Sequence, residues 1–378
     1  MMWERVKLGD VSDSCLGKML DQRKNKGTYK PYLANVNVRW GTFDLDNLQE
    51  MKFEDDEDER YGIKYGDLII CEGGEPGRCA IWKEQLPNMK IQKALHRLRV
   101  NEEMDYRYVY YWFLLAGKQG ALKQYYTGAT IMHMPGQKLK EVVIDKPPLD
   151  VQRKIGDYLE AFDDLIENNQ KQIKLLEEAA QRLYKEWFVD LRFPGYEHVK
   201  IVDGVPEGWK KANLPEIAPI VTGKKDANFG TTDGKYLFFT CAQEPIKAPS
   251  FSFDCDAVIL AGNGDFNVKL YRGQFEAYQR TYVFSPHNSK YLYLLYYAVK
   301  ENMRRLFQGA SGSTIKFLTK RMLEEILVFV SDEKTLELFN QNCELFQKKI
   351  ETLKAQISLA QEARDRLLPK LMSGEIEV

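Results

Sequence analysis

The sequence predicts an α+β chain: two mixed, mainly β domains separated by an antiparallel pair of long coiled-coil helices, with an internal pseudo-two-fold repeat. Three observations carry this. A long amphipathic stretch occurs twice, 184 residues apart; between Leu159 and Leu183 the ungapped alignment with 343–367 has 11 identities in 25 positions. The register extends upstream, where "TIMHMPGQKLKEVVI" (130–144) meets "TIKFLTKRMLEEILV" (314–328). Third, the regions before the two stretches share a pattern of strand, Gly-rich turn and strand, followed by an aromatic helix: "YGDLIICEGGEPGRCAIW" (65–82) with "YVYYWFLLAGKQGALKQY" (108–125), and 256–285 with "YLYLLYYAVKENMRRLFQ" (291–308).

The helices come first because their spacing is the clearest signal. Leu159, Phe162, Ile166, Asn169, Ile173, Leu176, Ala180, Leu183 and Trp187 alternate steps of 3 and 4. This is a heptad seam, and a seam needs a partner helix to bury it. Shifted by 184 it reads Cys343, Phe346, Ile350, Leu353, Ile357, Ala360, Arg364, Leu367 and Leu371, with Arg364 the one intrusive charge. Asn169 is a polar seam residue of the kind that fixes register at some cost in stability. The simplest arrangement pairs the two helices antiparallel; the alternative packs each on its own domain. From Val151 to Trp187 the first helix spans about 55 Å at 1.5 Å per residue, which makes it a spacer.

The halves also start alike: "WERVKLGDV" (3–11) resembles "WKKANLPEI" (209–217), an offset of 206. The second variable region is therefore shorter by 206 − 184 = 22 residues. The expected division is a first domain at 1–150, the central helix at 151–189, a linker at 190–208, a second domain at 209–333, the C-terminal helix at 334–372 and a tail at 373–378.

Composition bounds the rest. With 44% hydrophobic and 29% charged residues, the chain has the composition of a globular protein. The 54 Lys+Arg nearly balance 55 Asp+Glu, which excludes a uniformly basic coat but not local basic faces. Six scattered cysteines without a CxxC pair suggest reduced thiols, the start "MMWERVKLGD" lacks an apolar leader core, and no run of eighteen apolar residues exists; cytoplasmic residence is expected. Positive charge concentrates in Gly17–Trp40, Lys90–Arg99 and Lys300–Arg321, interleaved with Tyr, Asn, Gln and Thr, a composition that suits a phosphate backbone plus base edges. The acidic run "EDDEDER" (54–60) lacks the spacing of a calcium loop and reads as a solvated loop. No GxxxxGK[ST] loop, no GxGxxG after a strand and no zinc-like Cys/His spacing is present. "DKPP" (145–148) lacks the register and aromatic of an amino-methyltransferase pocket. No catalytic residue and no metal ligand is expected; the pattern is that of a binding and positioning protein.

The organisation, together with "PPLDVQRKI" (147–155) leading into the first helix and "VPEGWK" (205–210) opening the second half, resembles the specificity subunit of type I restriction–modification enzymes. The resemblance covers essentially the whole chain and lies in the organisation, the short motifs being individually weak. It implies two target recognition domains that bind the halves of a bipartite, asymmetric double-stranded DNA site, and helices that set the gap. Its partners would be two modification subunits, which methylate adenine N6 with S-adenosylmethionine, and two ATP-driven restriction subunits carrying the nuclease. S-adenosylmethionine, ATP and Mg are then expected in the partners and no cofactor in this chain. The second helix departs from the pattern, since "SDEKTLELFN" (331–340) lacks the double proline and the Gln. By this analogy the DNA contacts fall on Lys18, Arg23, Lys24, Asn35, Asn37, Arg39, Arg78, Gln92, Lys93 and His133 in the first domain. In the second they fall on Lys224, Lys225, Asn263, Asn267, Gln279, Arg280, Thr314 and Lys316. The rival readings are a coiled-coil interaction scaffold that never touches DNA, and the recognition part of a self-contained methyltransferase–nuclease.

Overall fold

A computed structural model describes residues 3–21, 25–312 and 316–378. The chain divides into two compact units: Met1–Asn168 with Gln356–Val378, and Asn169–Ala355. Each unit holds one domain and a stretch of both long helices, which run Leu149–Tyr184 and Glu333–Met372.

In the first unit, a four-stranded antiparallel sheet has the order Ser12–Leu16, Leu95–Val100, Leu68–Cys71, Cys79–Ile81. A smaller sheet joins Gln49–Phe53, Thr28–Leu33 and Lys90–Ile91. The aromatic helix Tyr106–Gln119 starts at Asp105, whose carboxylate accepts from the Arg107 and Tyr108 N–H groups, and stops at Gly120 in the left-handed region. Its Tyr108, Tyr111 and Phe113 bury against Leu68, Ile70 and Leu98. The same core takes Ile155 and Leu159 from the first long helix and Leu368, Leu371 and Met372 from the second.

The second unit holds a six-stranded sheet in the order Ile220–Thr222, Thr281–Phe284, Phe253–Ala261, Val268–Ala277, Tyr236–Phe239, Ile246–Ala248. The helix Leu292–Gly309 lays Leu295 and Ala298 on Val258, Leu260 and Phe284. Here the long helices contribute aromatics: Tyr184, Trp187 and Phe188 gather round Phe339, the closest ring centroids 4.9 Å apart.

The two sequence offsets reappear as strand register. Glu4 pairs with Lys146 in a two-stranded sheet, and Lys210 pairs with Val330 in another. The differences are 210 − 4 = 206 and 330 − 146 = 184. Each domain thus closes its first strand against the strand that precedes its long helix.

Within each unit the helix stretches run antiparallel. Asp163 accepts a hydrogen bond from Arg364 while Ile155 and Leu159 share a core with Leu368–Met372. In the other unit Phe188 meets Phe339 while Ala180 shares a core with Cys343. Every residue of the expected seam is buried or half-buried, and Asn169 is fully enclosed. Arg364 does not intrude: its guanidinium lies between Asp163 and Asp365. Burial alone would lower its pKa; the paired carboxylates raise it instead. The seam also widens, since Tyr184 and its counterpart Leu368 are buried where the helices touch the domains.

One boundary needs correcting. Residues 190–208 are not a free linker: Phe193 is buried against Trp209 with ring centroids 4.5 Å apart, and Ile201–Val202 forms a hairpin with Val205–Pro206. The first helix ends in a π turn, Lys185–Val189, that presents Trp187 and Phe188 to this core.

Candidate nucleic-acid interface

Four segments of the first domain converge, held by backbone hydrogen bonds. Gly17 N–H donates to Leu95 O (2.9 Å), Lys93 N–H to Lys18 O (2.8 Å), Glu72 N–H to Ala94 O (2.8 Å) and Met134 N–H to Glu72 O (2.7 Å). Thr127 and His133 exchange both of their backbone bonds, closing a hairpin over 128–132. Gly17 is required at its position, because a Cβ there would lie 2.4 Å from the Gln92 carbonyl oxygen.

The second domain builds the same backbone frame from different residues. Gly223 N–H donates to Thr281 O (3.1 Å), Gln279 N–H to Lys225 O (2.9 Å), Gly262 N–H to Arg280 O (2.8 Å) and Leu318 N–H to Gly262 O (2.8 Å). Ser311 and Phe317 exchange the equivalent pair of backbone bonds, at 184 residues from Thr127 and His133. Gly74 and Gly264 both occupy the left-handed region, with φ of 74° and 68°. Gly223 repeats the role of Gly17, its Cβ position lying 2.0 Å from the Ala277 carbonyl oxygen. What differs is the outward side chains. Ala94 corresponds to Arg280, Lys93 to Gln279, Gly73 to Asn263 and His133 to Phe317.

Charge separates this frame from the rest of each domain. Among the described residues Lys93 in the first domain and Lys224 and Arg280 in the second are exposed and form no ion pair, and His133 of the first domain is exposed as well. Lys225 and Lys316 lie over the Phe229 and Phe307 rings, at 4.4 and 4.1 Å from their centroids. By contrast, the acidic run 54–60 keeps the solvent exposure read from sequence, but it forms two short helical turns, Asp55–Glu57 and Asp58–Tyr61, rather than a loop, and serves as a counter-ion platform. Lys30 and Lys90 both pair with Asp58 at 2.8 and 2.9 Å, Lys18 pairs with Glu57, and the buried Arg97 donates to the Glu59 and Arg60 carbonyls. The hydrogen bond that Lys30 donates to Asp58 raises the Lys30 pKa; partial burial of Asp58 pushes its own pKa up, and the two ammonium groups more than reverse that.

Several expected contact residues are therefore spoken for. Lys18 is 3% exposed and bonded to Glu57 and to the Lys52 carbonyl, so it faces inward. Asn37 is a turn residue: its Oδ1 accepts from Ala34 N–H and its Nδ2 donates to Asp44 O. Asn267 braces a loop through the Cys241 and Asp265 carbonyls. Arg78 is largely covered, donating to Glu75 and to the Asn35 carbonyl, and Asn35 in turn donates to Gly73 O; this pair supports the Gly73 loop from behind. Arg39 is exposed but folds onto the Val36 carbonyl, and Gln92 is half-buried within the frame. Lys93, His133, Lys224, Lys225, Asn263, Gln279, Arg280 and Lys316 all lie on the frame segments or directly beside them. Arg23, Lys24 and Thr314 lie outside the described residues. Phe317 was missed; writing the 184 offset under His133 identifies it.

Behind the hairpin, the buried His96 ring bonds the Met134 carbonyl at 3.0 Å, and burial lowers its pKa. Among the described residues no group of three His, Cys, Asp or Glu is placed to hold a metal ion. Among the described residues no helix is long and apolar enough to cross a membrane.

Comparison with known proteins places this geometry. A model of the type I restriction modification DNA specificity domain matches residues 2–178. The EcoDI specificity subunit of Escherichia coli is 35% identical over 176 residues, 46% of this chain and 39% of that one, so this match spans well under half of the relative. The MjaIX specificity subunit of Methanocaldococcus jannaschii is 26% identical over 83% of this chain and 78% of its own length. The crystal structure of the S subunit of the type I system from M. genitalium covers 98% of this chain and 96% of that one, with a TM-score of 0.57 at 18% identity, a likeness of fold. Residues 2–178 thus match the type I restriction modification DNA specificity domain, and over most of its length the chain is similar to type I specificity subunits.

Proposed function

We propose that the chain reads DNA for a type I restriction–modification complex, each frame contacting one half of a bipartite, asymmetric duplex site. The observation that carries this reading is the pair of matched frames with unmatched side chains. Exposed cations on the frames suit phosphates, and Asn263, Gln279 and Arg280 present the amides and guanidinium that pair with purine edges in the major groove. The chain itself is non-catalytic in this reading. Methylation of adenine N6 with S-adenosylmethionine, which needs the base out of the stack, belongs to two modification subunits, and ATP- and Mg-dependent cleavage to two restriction subunits. Exposed leucines on the long helices, Leu175 and its 184-offset counterpart Leu359 (63% and 67% exposed), support a partner-docking role for the helices.

The test is selection from random duplexes at near-physiological salt by the purified chain, with and without its modification subunit. Two short motifs at a fixed separation are expected. Absence of any motif even with the modification subunit would sink the reading in favour of an interaction scaffold.

A further inference from the structure

We infer that His133 and Phe317 are equivalent specificity-determining positions with opposite chemistry: His133 reads its half-site by hydrogen bonding to a base edge, Phe317 by apolar contact with the 5-methyl group of a thymine. The inference rests on the DNA-reading role proposed above and deepens it.

Position equivalence comes from the backbone alone. Each residue exchanges both backbone bonds with a hydroxyl residue six positions earlier, Thr127 or Ser311, and each bridges to a Gly-rich loop, at Gly73 or Asn263. The next residue, Met134 or Leu318, is buried and donates its N–H to that loop. Alternation along an extended segment then turns the side chains of His133 and Phe317 outward, and both are exposed, Phe317 by 39%. The His133 imidazole has no hydrogen-bond partner among the described residues, and Phe317 stacks on no other described ring. A phenyl ring that the fold leaves 39% exposed on a loop carrying Lys316 is placed for a partner surface. Lys316 precedes Phe317, and the Arg280 carbonyl anchors the loop beneath it.

The chemistry of the major groove then separates the two. Imidazole can donate to guanine N7 or O6, adenine N7 or thymine O4, or accept from the amino group of adenine or cytosine, whereas a phenyl ring finds one apolar feature on the groove floor, the thymine methyl. The domains therefore discriminate bases at the same geometric position by different means. His133→Phe should convert the first domain to the second type, and Phe317→His the reverse.

The experiment uses the complex with its modification subunits and the selected site. Each thymine is replaced singly by deoxyuridine, which deletes the methyl group and leaves the protein untouched. Loss of one buried methyl predicts about a four-fold weaker binding, at one thymine of the half-site that Phe317→Ala alters, and no further loss when that variant binds the same uridine duplex. Repeated selection should show Phe317→Ala relaxing one position in that half, and His133→Ala relaxing one position in the other. If wild type selects no bipartite site, the proposed function itself fails. If it does, four outcomes overturn this inference alone: a Phe317 half-site without thymine, uridine substitution without effect, variants that keep both motifs intact, and a Phe317→Ala variant that loses only its modification subunit.

Discussion

The two long helices start at equivalent places on their domains and solve the same problem with different atoms. In the first unit Pro147 and Pro148 lead in, and Gln152 is fully buried. Its Oε1 accepts from Asp105 N–H at 2.9 Å, and its Nε2 donates to the Pro147 and Glu103 carbonyls at 2.8 and 3.2 Å. In the second unit Leu336 fills the Gln152 position. Asp332 replaces Pro148 and accepts from the Thr335 N–H, the Thr335 hydroxyl and the Trp209 indole, at 3.0, 2.7 and 3.2 Å. A buried amide that satisfies three backbone groups has been exchanged for an apolar side chain and a carboxylate cap one turn earlier. The lesson is that a backbone scaffold survives such an exchange only if every polar group finds another partner.

The helix-to-domain cores offer the largest test of this equivalence. Phe339 is fully buried among Tyr184, Trp187 and Phe188, and its counterpart at the 184 offset is Ile155, 1% exposed in an aliphatic setting. Phe339→Ala should cost about 3–5 kcal/mol and Ile155→Ala about 2–5 kcal/mol. Hydrogen exchange with denaturant titration should localise the first loss to Asn169–Ala355 and the second to the other unit. Loss of protection spread evenly over both units would show that they do not unfold as separate cores.

Next in size is the amide. Gln152→Leu strands the Asp105 N–H and two carbonyls, at about 1–3 kcal/mol for a buried unsatisfied group. A total near 3 kcal/mol is expected in chemical unfolding. A variant within 0.5 kcal/mol of wild type, roughly the spread of neutral surface substitutions, would mean that solvent replaces those bonds and that the junction is not dry.

These elements also show how far the sequence could be read. The repeat and the seam were legible because helical spacing is local: Leu159, Ile166 and Ile350 declare their burial within a few turns. The offsets 206 and 184 were legible too, and they are strand registers, a long-range fact that only duplication made visible. The cations were not legible as a class. Lys18, Lys30 and Lys90 look like DNA ligands in one dimension, but the fold brings the acidic run 54–60 to them, and no local pattern encodes that meeting. Asn37 and Asn267 were misread for a related reason: an amide serves a turn as readily as a base edge, and only the partner tells which. Phe317 carried no charge and so no electrostatic signal, yet its place opposite His133 was already contained in the repeat.

Smaller, and specific to DNA, is the contrast between Arg280 and Lys93. Arg280 corresponds to Ala94, which has φ of 83°, so the first frame carries no guanidinium at this place. Arg280→Ala is expected to cost about 1–3 kcal/mol in binding and relax one base pair in one half-site. Lys93→Ala should weaken all sequences alike and reduce the salt slope by about one. Binding isotherms on single-base variants of the selected site at several salt concentrations separate the two; a uniform loss for Arg280→Ala would make it a phosphate contact.

The smallest expected effect returns to the helix starts and uses pH to tell them apart. Burial pushes the Asp332 carboxyl up, but the Thr335 N–H, the Thr335 hydroxyl and the Trp209 indole bond its ionised form and hold it below its ordinary value of 3.8. A carboxylate with a depressed pKa in the folded state contributes stability that is complete above the unfolded value and is lost as pH falls through the folded one. Asp332→Asn keeps an acceptor for the Thr335 N–H and removes the charge, so it should cost about 1 kcal/mol at neutral pH. That deficit should shrink as pH drops below 3.8, where wild type protonates as well. Gln152 cannot titrate, so the deficit of Gln152→Leu should stay level over the same range. Urea unfolding of both variants against wild type between pH 7 and pH 3 measures the two trends. A flat Asp332→Asn deficit would assign the cap to hydrogen-bond geometry alone, and the two helix starts would then differ in packing but not in electrostatics.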